Sequence, residues 1–198
     1  MGAFYDMSTA IQHHVRKRTA VSPELLAGQL TRLRPLAEED LPVLQAWDED
    51  PTIIALMGPK FDMLPASEWL TTLQSQHRCF AWGIEDQTGR LIGELELDHV
   101  DWRTRSAELR ICIGAEECRG RGYGTDALRT ALRLAFTELA LDQVYLRVFA
   151  SNAPALRVYQ RLGFRREAVL RPIARRHDPA PVVLMSLTRD QWAASFQS

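Results

Sequence analysis

The sequence predicts a single α/β (α+β) domain, in which one mixed, mostly antiparallel sheet is flanked by helices. Two strand-like runs surround the turn-forming residues 86–89, which is typical of an antiparallel hairpin. Strand-like and helical patterns then alternate in the second half of the chain, without internal repeats. The length of 198 residues suits one sizeable domain rather than two. We assign residues 29–198 to this domain and expect residues 1–28 to form a tail or a docking arm.

The first half of the domain is predicted to contain three strands and two helices. The strands are residues 30–35, 79–85 and 91–100. Residues 38–47 place apolar side chains at helical spacing and predict the first helix. Ser67 is a residue type that caps helices, so the second helix is predicted at 68–76.

The second half alternates strands with helices. Its predicted strands are residues 107–113, 144–150, 164–170 and 182–187. One helix is predicted at 124–139, where apolar residues share one face. Another is predicted at 153–162, because Asn152 is a capping residue and Gly163 suits the left-handed position that closes a helix.

Charge is unevenly distributed along the chain, although the formal net charge is only −1. Residues 36–101 contain fourteen Asp and Glu against three Lys and Arg, whereas residues 147–176 contain eight Arg and one Glu. This asymmetry indicates either an anionic ligand on one side and a cationic group on the other, or two solvated faces of opposite sign. The near-neutral total predicts no nucleic-acid partner.

The cysteine content and the hydropathy of the chain indicate the cellular compartment in which we expect the protein. Cys79, Cys112 and Cys118 are an odd count without metal-type spacing, so we expect reduced thiols, no metal and a cytoplasmic protein. No segment approaches the roughly 18 apolar residues of a membrane span. The first twenty residues lack the apolar core of a secretory signal. We therefore expect no membrane partner.

The stretch CRGRGYGTDAL, which begins at Cys118, places three glycines and two arginines at a predicted helix start. A helix N-terminus exposes unpaired N–H groups and a partial positive charge, so it attracts anions. Glycine lets the backbone approach a ligand closely. Residues 119–124 therefore predict a diphosphate cradle, although a glycine-rich turn that only reverses the chain fits the same pattern. The spacing fits neither a dinucleotide-binding motif nor a P-loop.

A second motif, NAPALRVYQRLGF, begins at Asn152. Tyr159 follows Asn152 by seven residues, or about two helical turns, so both side chains project along one side of the predicted helix. A capped amphipathic helix whose tyrosine packs in the core has the same pattern. The second motif alone therefore does not indicate a function, and it becomes specific only in combination with the first.

Together, the two motifs resemble the GNAT superfamily of N-acetyltransferases. The residues that carry the resemblance are RGRGYG at 119–124 and the run from Asn152 through Tyr159 to Gly163-Phe164. The stretches LRPL, LIGELEL, SAELRICIG and REAVLR resemble the branch that includes ribosomal-protein N-terminal acetyltransferases. The resemblance spans residues 29–192. It implies a sheet splayed at its central strands and direct transfer of an acetyl group from acetyl-coenzyme A to an amine, without a metal.

The resemblance also implies a role for each matching residue. The loop would hold the coenzyme pyrophosphate through Arg119, Gly120, Arg121, Gly122, Tyr123 and Gly124. The strand before it would bind the pantetheine arm and the thioester carbonyl through Ile111, Cys112 and Ile113. Asn152 would bond the pantetheine, and Tyr159 would donate a proton to the departing thiolate. A covalent cysteine intermediate is not expected.

The acceptor amine needs a base, because an ammonium group cannot attack a carbonyl. Glu94, Glu96 and Glu108 lie on neighbouring predicted strands, and the first two share a face. Glu108 lies eleven residues before the glycine-rich loop, a spacing similar to that of the family's strand-borne base. We therefore favour Glu108 and then Glu94. A carboxylate paired with Arg103 or Arg110 for structure, or a reaction that relies on water, fits the same residues.

The acceptor is open at this point. A protein N-terminus fits, as does a small amine such as a polyamine or an aminoglycoside. A non-catalytic acyl-coenzyme A-binding module is an alternative from a different class. The basic, proline-rich segment 173–181, in which His177 is a further candidate base, departs from the resembling family near the expected acceptor site. A short helical run around Trp192 leads us to expect a homodimer.

Overall fold

The structure is a computed structural model that describes residues 23–57, 79–170 and 181–195. Seven strands occur within these residues: β1 Thr31–Pro35, β2 Phe80–Asp86, β3 Leu91–Asp101, β4 Ser106–Cys112, β5 Gln143–Phe149, β6 Arg165–Leu170 and β7 Val182–Thr188. They form one sheet in the order β1-β2-β3-β4-β5-β7-β6. All neighbours pair antiparallel except β4 and β5, which are parallel. This sheet confirms the predicted fold class.

Five helices accompany the sheet in the described part of the chain: α1 Leu41–Asp48, α2 Pro51–Met57, α3 Tyr123–Arg133, α4 Ala153–Arg161 and α5 Arg189–Ser195. Helix α1 begins later than predicted, because the start of that run forms a tighter turn, Glu38–Asp40, and Pro42 suits a first helical turn. Helix α2 was not predicted. Helix α3 continues through the wider, π-type turns of Leu134–Glu138. None of these helices is long and apolar enough to cross a membrane.

Some predicted features lie outside the described residues. These are the helix at 68–76 with its cap Ser67, residues 1–22 of the expected tail, and His177.

The hydrophobic core includes one face of the central strands and the inner side of α3. Its members include leucines that are at most 2% exposed, namely Leu95, Leu97, Leu109, Leu128 and Leu132. Because side chains alternate along a strand, the opposite face of β3 and β4 carries polar groups. On that polar face Glu96 lies opposite Arg110, and Asp98 lies opposite Glu108. The sheet therefore separates a packed apolar face from a face with titratable side chains.

The parallel pair β4 and β5 stays together only at its beginning. The pairs are Ser106 with Gln143, Ala107 with Val144 and Glu108 with Tyr145. Beyond this point β4 continues to Cys112 and β5 continues to Phe149. The two strands therefore diverge, and a wedge-shaped opening follows Glu108. This opening confirms the expected splay at the central strands.

The start of α3 is anchored to the beginning of β1 by one buried carboxylate. Asp126 accepts hydrogen bonds from the backbone N–H groups of Gln29 (3.0 Å), Leu30 (2.9 Å) and Thr31 (2.9 Å), and from Thr31 Oγ1 (2.8 Å). The backbone of Gly28 lies so close that an added Cβ would be 2.2 Å from Asp126 Oδ2. The segment before β1 is thereby attached to the helix that follows the glycine-rich loop.

Asp126→Asn is expected to lower the free energy of unfolding by about 2–3 kcal/mol, because a single amide oxygen cannot replace two oxygens that accept four bonds. Burial acts to raise the pKa of Asp126, but the bonds from residues 29–31 outweigh it, and the pKa lies below its ordinary value. A lowered carboxyl pKa stabilises the fold above the ordinary pKa, about 3.9, and this contribution is lost as the pH falls through the folded pKa.

The difference in stability between the two proteins should therefore be full at neutral pH and shrink below about pH 4. Thermal unfolding as a function of pH measures it. Asp190→Asn, at an exposed acid in the first turn of α5, is the matched control and should change the melting temperature little. A difference that stays constant down to about pH 3 would contradict a role for the ionised carboxylate.

Candidate active site

The glycine-rich loop leads into the start of α3, and its backbone geometry suits an anion. Gly120 and Gly122 have φ of 72° and 91°, in the left-handed region that glycine adopts without strain. The first backbone bond across the helix start runs from Asp126 N to Gly122 O, at 3.0 Å. The N–H groups of the three residues before Asp126 therefore point out of the helix end, with the positive end of its dipole behind them. This geometry suits a diphosphate.

The side chain of Arg119 holds the loop against the end of β4. Its guanidinium donates to the carbonyl oxygens of Ile113 (2.9 Å) and Gly114 (2.8 Å) and lies 3.7 Å from Asp50 Oδ2. Arg121 is exposed. The structure therefore gives the two predicted arginines different surroundings. Arg119 holds the loop in place, whereas the exposed side chain of Arg121 could contact an anion directly.

The end of β4 borders the opening beside β5. Ile111 and Ile113 are half-buried and Cys112 is buried. The neighbouring strand approaches closely, since an added Cβ on Gly93 would lie 2.3 Å from Cys112 O. Because β5 has diverged at this level, the β5-facing side of β4 is a strand edge, and its backbone groups are those that could pair with an extended ligand. The predicted pantetheine strand thus lies at the opening.

Asn152 caps α4, as its sequence position predicts. Its Oδ1 accepts from Ala155 N at 3.2 Å, and its Nδ2 donates to Leu56 O at 3.3 Å. The second bond connects the start of α4 to α2. The side chain is therefore positioned by two elements at the wide end of β5.

Tyr159 lies on α4 and is 8% exposed. Its ring packs edge-on against Phe164, with the ring centres 5.8 Å apart. Burial, with a smaller contribution from the Cys112 thiol, raises the pKa of Tyr159 to about 12. The phenol therefore stays protonated at neutral pH. The contribution of Cys112 to this shift indicates that Tyr159 lies near the predicted pantetheine strand. A buried, protonated hydroxyl is a proton donor.

The three candidate bases are all buried on the polar face of the sheet. Glu94, Glu96 and Glu108 are 5–7% exposed. Glu108 Oε1 accepts from Arg147 Nε at 2.8 Å and Glu108 Oε2 accepts from Arg147 Nη2 at 2.7 Å. The partner is therefore Arg147 on β5, and neither Arg103 nor Arg110, the two arginines that the sequence offered.

Two side chains beside Glu108 were not predicted as site residues. Asp98 faces Glu108 across the strand pair, and the following residue, His99, has a left-handed backbone with φ of 51°. His99 Nδ1 lies 3.0 Å from Asp98 Oδ2 and 3.8 Å from Glu108 Oε2. No local sequence signal marks this position, since neither glycine nor proline accompanies it.

A small pocket connects α2 to this polar face. It is lined by Met57, Glu94, Glu96, Arg110, Ile111 and Cys112. A larger surface depression between residues 27–32 and 85–89 contains none of the predicted site residues. Within the described ranges, no three His, Cys, Asp or Glu side chains are grouped so that they could hold a metal ion.

Residues 31–165 match the family model described as an "Acetyltransferase (GNAT) domain". The chain therefore belongs to the GNAT family of acetyltransferases, and it is an acetyl-coenzyme A-dependent N-acyltransferase.

Several relatives of this chain have functions stated in their names. The spermidine N(1)-acetyltransferase of Vibrio cholerae serotype O1 is 38% identical over 87 residues, which cover 44% of this chain and only 50% of that protein. The spermidine N(1)-acetyltransferase of Escherichia coli K12 is 30% identical over 145 residues, which cover 70% of this chain and 75% of that protein. The crystal structure of spermidine N-acetyltransferase from Vibrio cholerae in complex with CoA and spermine has a TM-score of 0.75 at 25% identity, covering 83% of this chain and 98% of that chain.

These relatives bear on the two acceptor classes that the sequence left open. The names of these relatives specify a small amine, spermidine or spermine, and none of them specifies a protein N-terminus. The same names do not support the resemblance to the ribosomal-protein branch.

Proposed function

We propose that this protein transfers an acetyl group from acetyl-coenzyme A to a primary amine of a polyamine such as spermidine. The observation that carries the proposal is the row of buried carboxylates, Glu94, Glu96 and Glu108, on the polar face beside the opening between β4 and β5. A polyamine is multiply charged at neutral pH, and buried charges need opposite charges to replace their water. The relatives named for spermidine support the same acceptor class.

The residues present fit a coenzyme A molecule. A Cβ at Gly120 would meet no atom within 4 Å, so the approach to the helix start is open. We assign the pyrophosphate to the backbone of residues 119–124 and the pantetheine to β4 at Ile111, Cys112 and Ile113. Asn152 would bond the pantetheine from the opposite side of the opening. When bound, acetyl-coenzyme A supplies an activated thioester as the acyl donor.

Proton transfers by the protein complete the reaction. A backbone N–H of β4 would stabilise the oxyanion that develops on the thioester carbonyl. Tyr159 would give its proton to the departing sulfur, a role for which its raised pKa keeps it protonated. Glu108 and Glu94 remain the candidate carboxylates for the incoming ammonium. Glu108 is the more constrained of the two, because Arg147 occupies both of its oxygens.

A homodimer also remains our prediction. Trp192, on which that expectation was based, packs its ring on Phe136 with the ring centres 5.3 Å apart, so it serves the chain's own core. The strand at the sheet edge, β6, exposes Val169 and Leu170 and offers a different surface for a second copy.

Spermidine and spermine are expected to release free thiol from acetyl-coenzyme A with a kcat/KM at least about tenfold above that of a peptide N-terminus, which corresponds to about 1.4 kcal/mol of discrimination. The reason is that the carboxylate row can bind a second ammonium as well as the reacting one. Thiol release, with mass spectrometry of the acetylated product, measures it.

The matched control is a pair of small acceptors, putrescine and butylamine, which differ only in the second ammonium group. Putrescine should be the better acceptor. Preference for a peptide N-terminus would contradict the proposal, and binding of acetyl-coenzyme A without turnover on any of these amines would favour the non-catalytic module.

A further inference from the structure

Strand β3 contains a bulge immediately beside the point where β4 and β5 diverge. Asp98 pairs with Glu108, but the next pair is Asp101 with Ser106. Two residues of β3, His99 and Val100, therefore oppose the single residue of β4 between these pairs. A bulge of this kind turns a side chain out of the regular alternation.

The bulge changes the face on which the imidazole lies. In a regular strand, residue 99 would point away from Asp98. Here the left-handed backbone, with φ of 51°, brings His99 Nδ1 to 3.0 Å from Asp98 Oδ2 and 3.8 Å from Glu108 Oε2. A left-handed backbone costs a non-glycine residue about 1–2 kcal/mol. The strained backbone at His99 thus places its imidazole beside the point where β4 and β5 diverge.

The two carboxylates beside His99 are already engaged in hydrogen bonds. On β4, Glu108 has both oxygens occupied by Arg147 of β5. On β3, Asp98 Oδ1 accepts from the backbone N–H of His99 at 2.6 Å.

Two further titratable side chains, those of Tyr145 and Cys79, interact with carboxylates of the polar face. Tyr145 on β5 has its pKa raised by burial and then by Glu108, and Cys79 has its pKa raised by burial and then by Glu96 and Asp98. Both therefore stay protonated. His99 is the only histidine in the described ranges, and its side chain is 64% exposed, so it can exchange protons with water.

We propose that His99 is a catalytic base of the acetyl transfer. This inference rests on the proposed acetylation of an amine. Asp98 accepts the Nδ1–H of the imidazole and so leaves the Nε2 lone pair for the substrate. The ammonium N–H bond breaks, an Nε2–H bond forms, and the freed nitrogen lone pair attacks the thioester carbon.

The remaining steps balance the reaction. As the carbon–sulfur bond breaks, the sulfur takes the proton of Tyr159. The nitrogen, now part of the amide, releases its second proton, which restores the Tyr159 phenol. The His99 imidazolium returns its proton to water through its exposed face. One ammonium and one thioester thus give one amide, one thiol and one released proton.

His99→Asn is expected to lower kcat at neutral pH by about 10²-fold or more, because asparagine tolerates the left-handed backbone but cannot take the proton. His99→Gly removes the backbone strain as well as the imidazole, so it should match His99→Asn in kcat without a lower melting temperature. Added free imidazole should restore part of its activity.

The control is Arg105→Gly. Arg105 has the same φ of 51° and lies in the turn after β3, where its side chain pairs with Asp142. Arg105→Gly should retain the wild-type kcat. This result would show that relief of backbone strain by glycine does not by itself lower kcat. A wild-type kcat in His99→Asn, or no rescue of His99→Gly by imidazole, would overturn the role of His99 and leave the proposed function standing. A wild-type protein that acetylates no amine, polyamines included, would overturn the proposed function and this inference together.

Discussion

Replacing Tyr159 by Phe is expected to lower kcat by about 10²–10⁴-fold while the Kd for acetyl-coenzyme A stays nearly unchanged. In the proposed mechanism the lost interaction belongs to the transition state, in which the phenol proton moves to sulfur. The ring itself remains, so the edge-on packing against Phe164 is preserved. Because the pKa of Tyr159 is raised to about 12, the wild-type rate should show no decline from ionisation of this group below about pH 11. Steady-state kinetics with spermidine and calorimetry with acetyl-coenzyme A measure the two quantities.

Phe164→Leu is the matched control for packing. It removes the ring that contacts Tyr159 and keeps the hydroxyl. We expect it to cost about 1 kcal/mol or more of stability and to change kcat far less than Tyr159→Phe. If Tyr159→Phe turned over spermidine at the wild-type rate, the hydroxyl would have no chemical role and Tyr159 would be a packing residue.

Gly122→Val is expected to weaken acetyl-coenzyme A binding by about 100-fold or more, or about 2.7 kcal/mol. The backbone at Gly122 has φ of 91°, which a β-branched residue does not adopt without strain. Its side chain would also stand at the helix start, where the diphosphate has to approach the N–H groups. Gly124→Val should weaken binding mainly by this steric obstruction, because Gly124 lies in the helix and does not have a left-handed backbone. An added Cβ at Gly124 would be 3.4 Å from Ile113 Cγ1. Calorimetry with coenzyme A gives the affinities.

Gly89→Val provides the comparison. Gly89 has φ of 82°, and an added Cβ there would meet nothing within 4 Å, so the substitution imposes a similar backbone strain. It lies in the hairpin turn between β2 and β3, apart from the loop. Both valine variants should lower the melting temperature, but only Gly122→Val should lose the ligand. An equal loss of affinity in both would show that global destabilisation, rather than the cradle, is responsible.

Features with a local signal could be predicted from the sequence. The Asn152 cap is an example, because capping depends on residues within one turn, and the observed bond to Ala155 N is the expected one. The glycine positions of the loop are also local, since φ is a property of one residue. Helix α2 had such a signal as well, although it was not predicted: Asp50 precedes Pro51 and accepts from Thr52 N at 2.7 Å, which is typical of a helix start.

Features that depend on strand neighbours could not be predicted in the same way. Glu108 and Arg147 are 39 residues apart, and they meet only because β4 and β5 are parallel neighbours that diverge just after Glu108. The arginines nearer in sequence were therefore the wrong candidates. The bulge at His99 is similar, because the register on either side of it is fixed by pairing with β4 and no glycine marks the change. The surroundings of the proposed bases, Glu108 and His99, were accordingly the least predictable part of the candidate site.

The anchoring of α3 by residues 29–31 has a consequence for how the protein acquires its ligand during synthesis. Asp126 meets partners 95–97 residues earlier in the chain, so the helix start is fixed only after two distant parts of the polypeptide have met. Long-range closure of this kind is slow compared with local helix formation. Coenzyme A should therefore bind the completed fold and not a partly folded nascent chain. At a ligand concentration of 100 times Kd, binding would add about 2.7 kcal/mol to the stability of the native state, so the cellular supply of the coenzyme would help to determine how much of the enzyme stays folded.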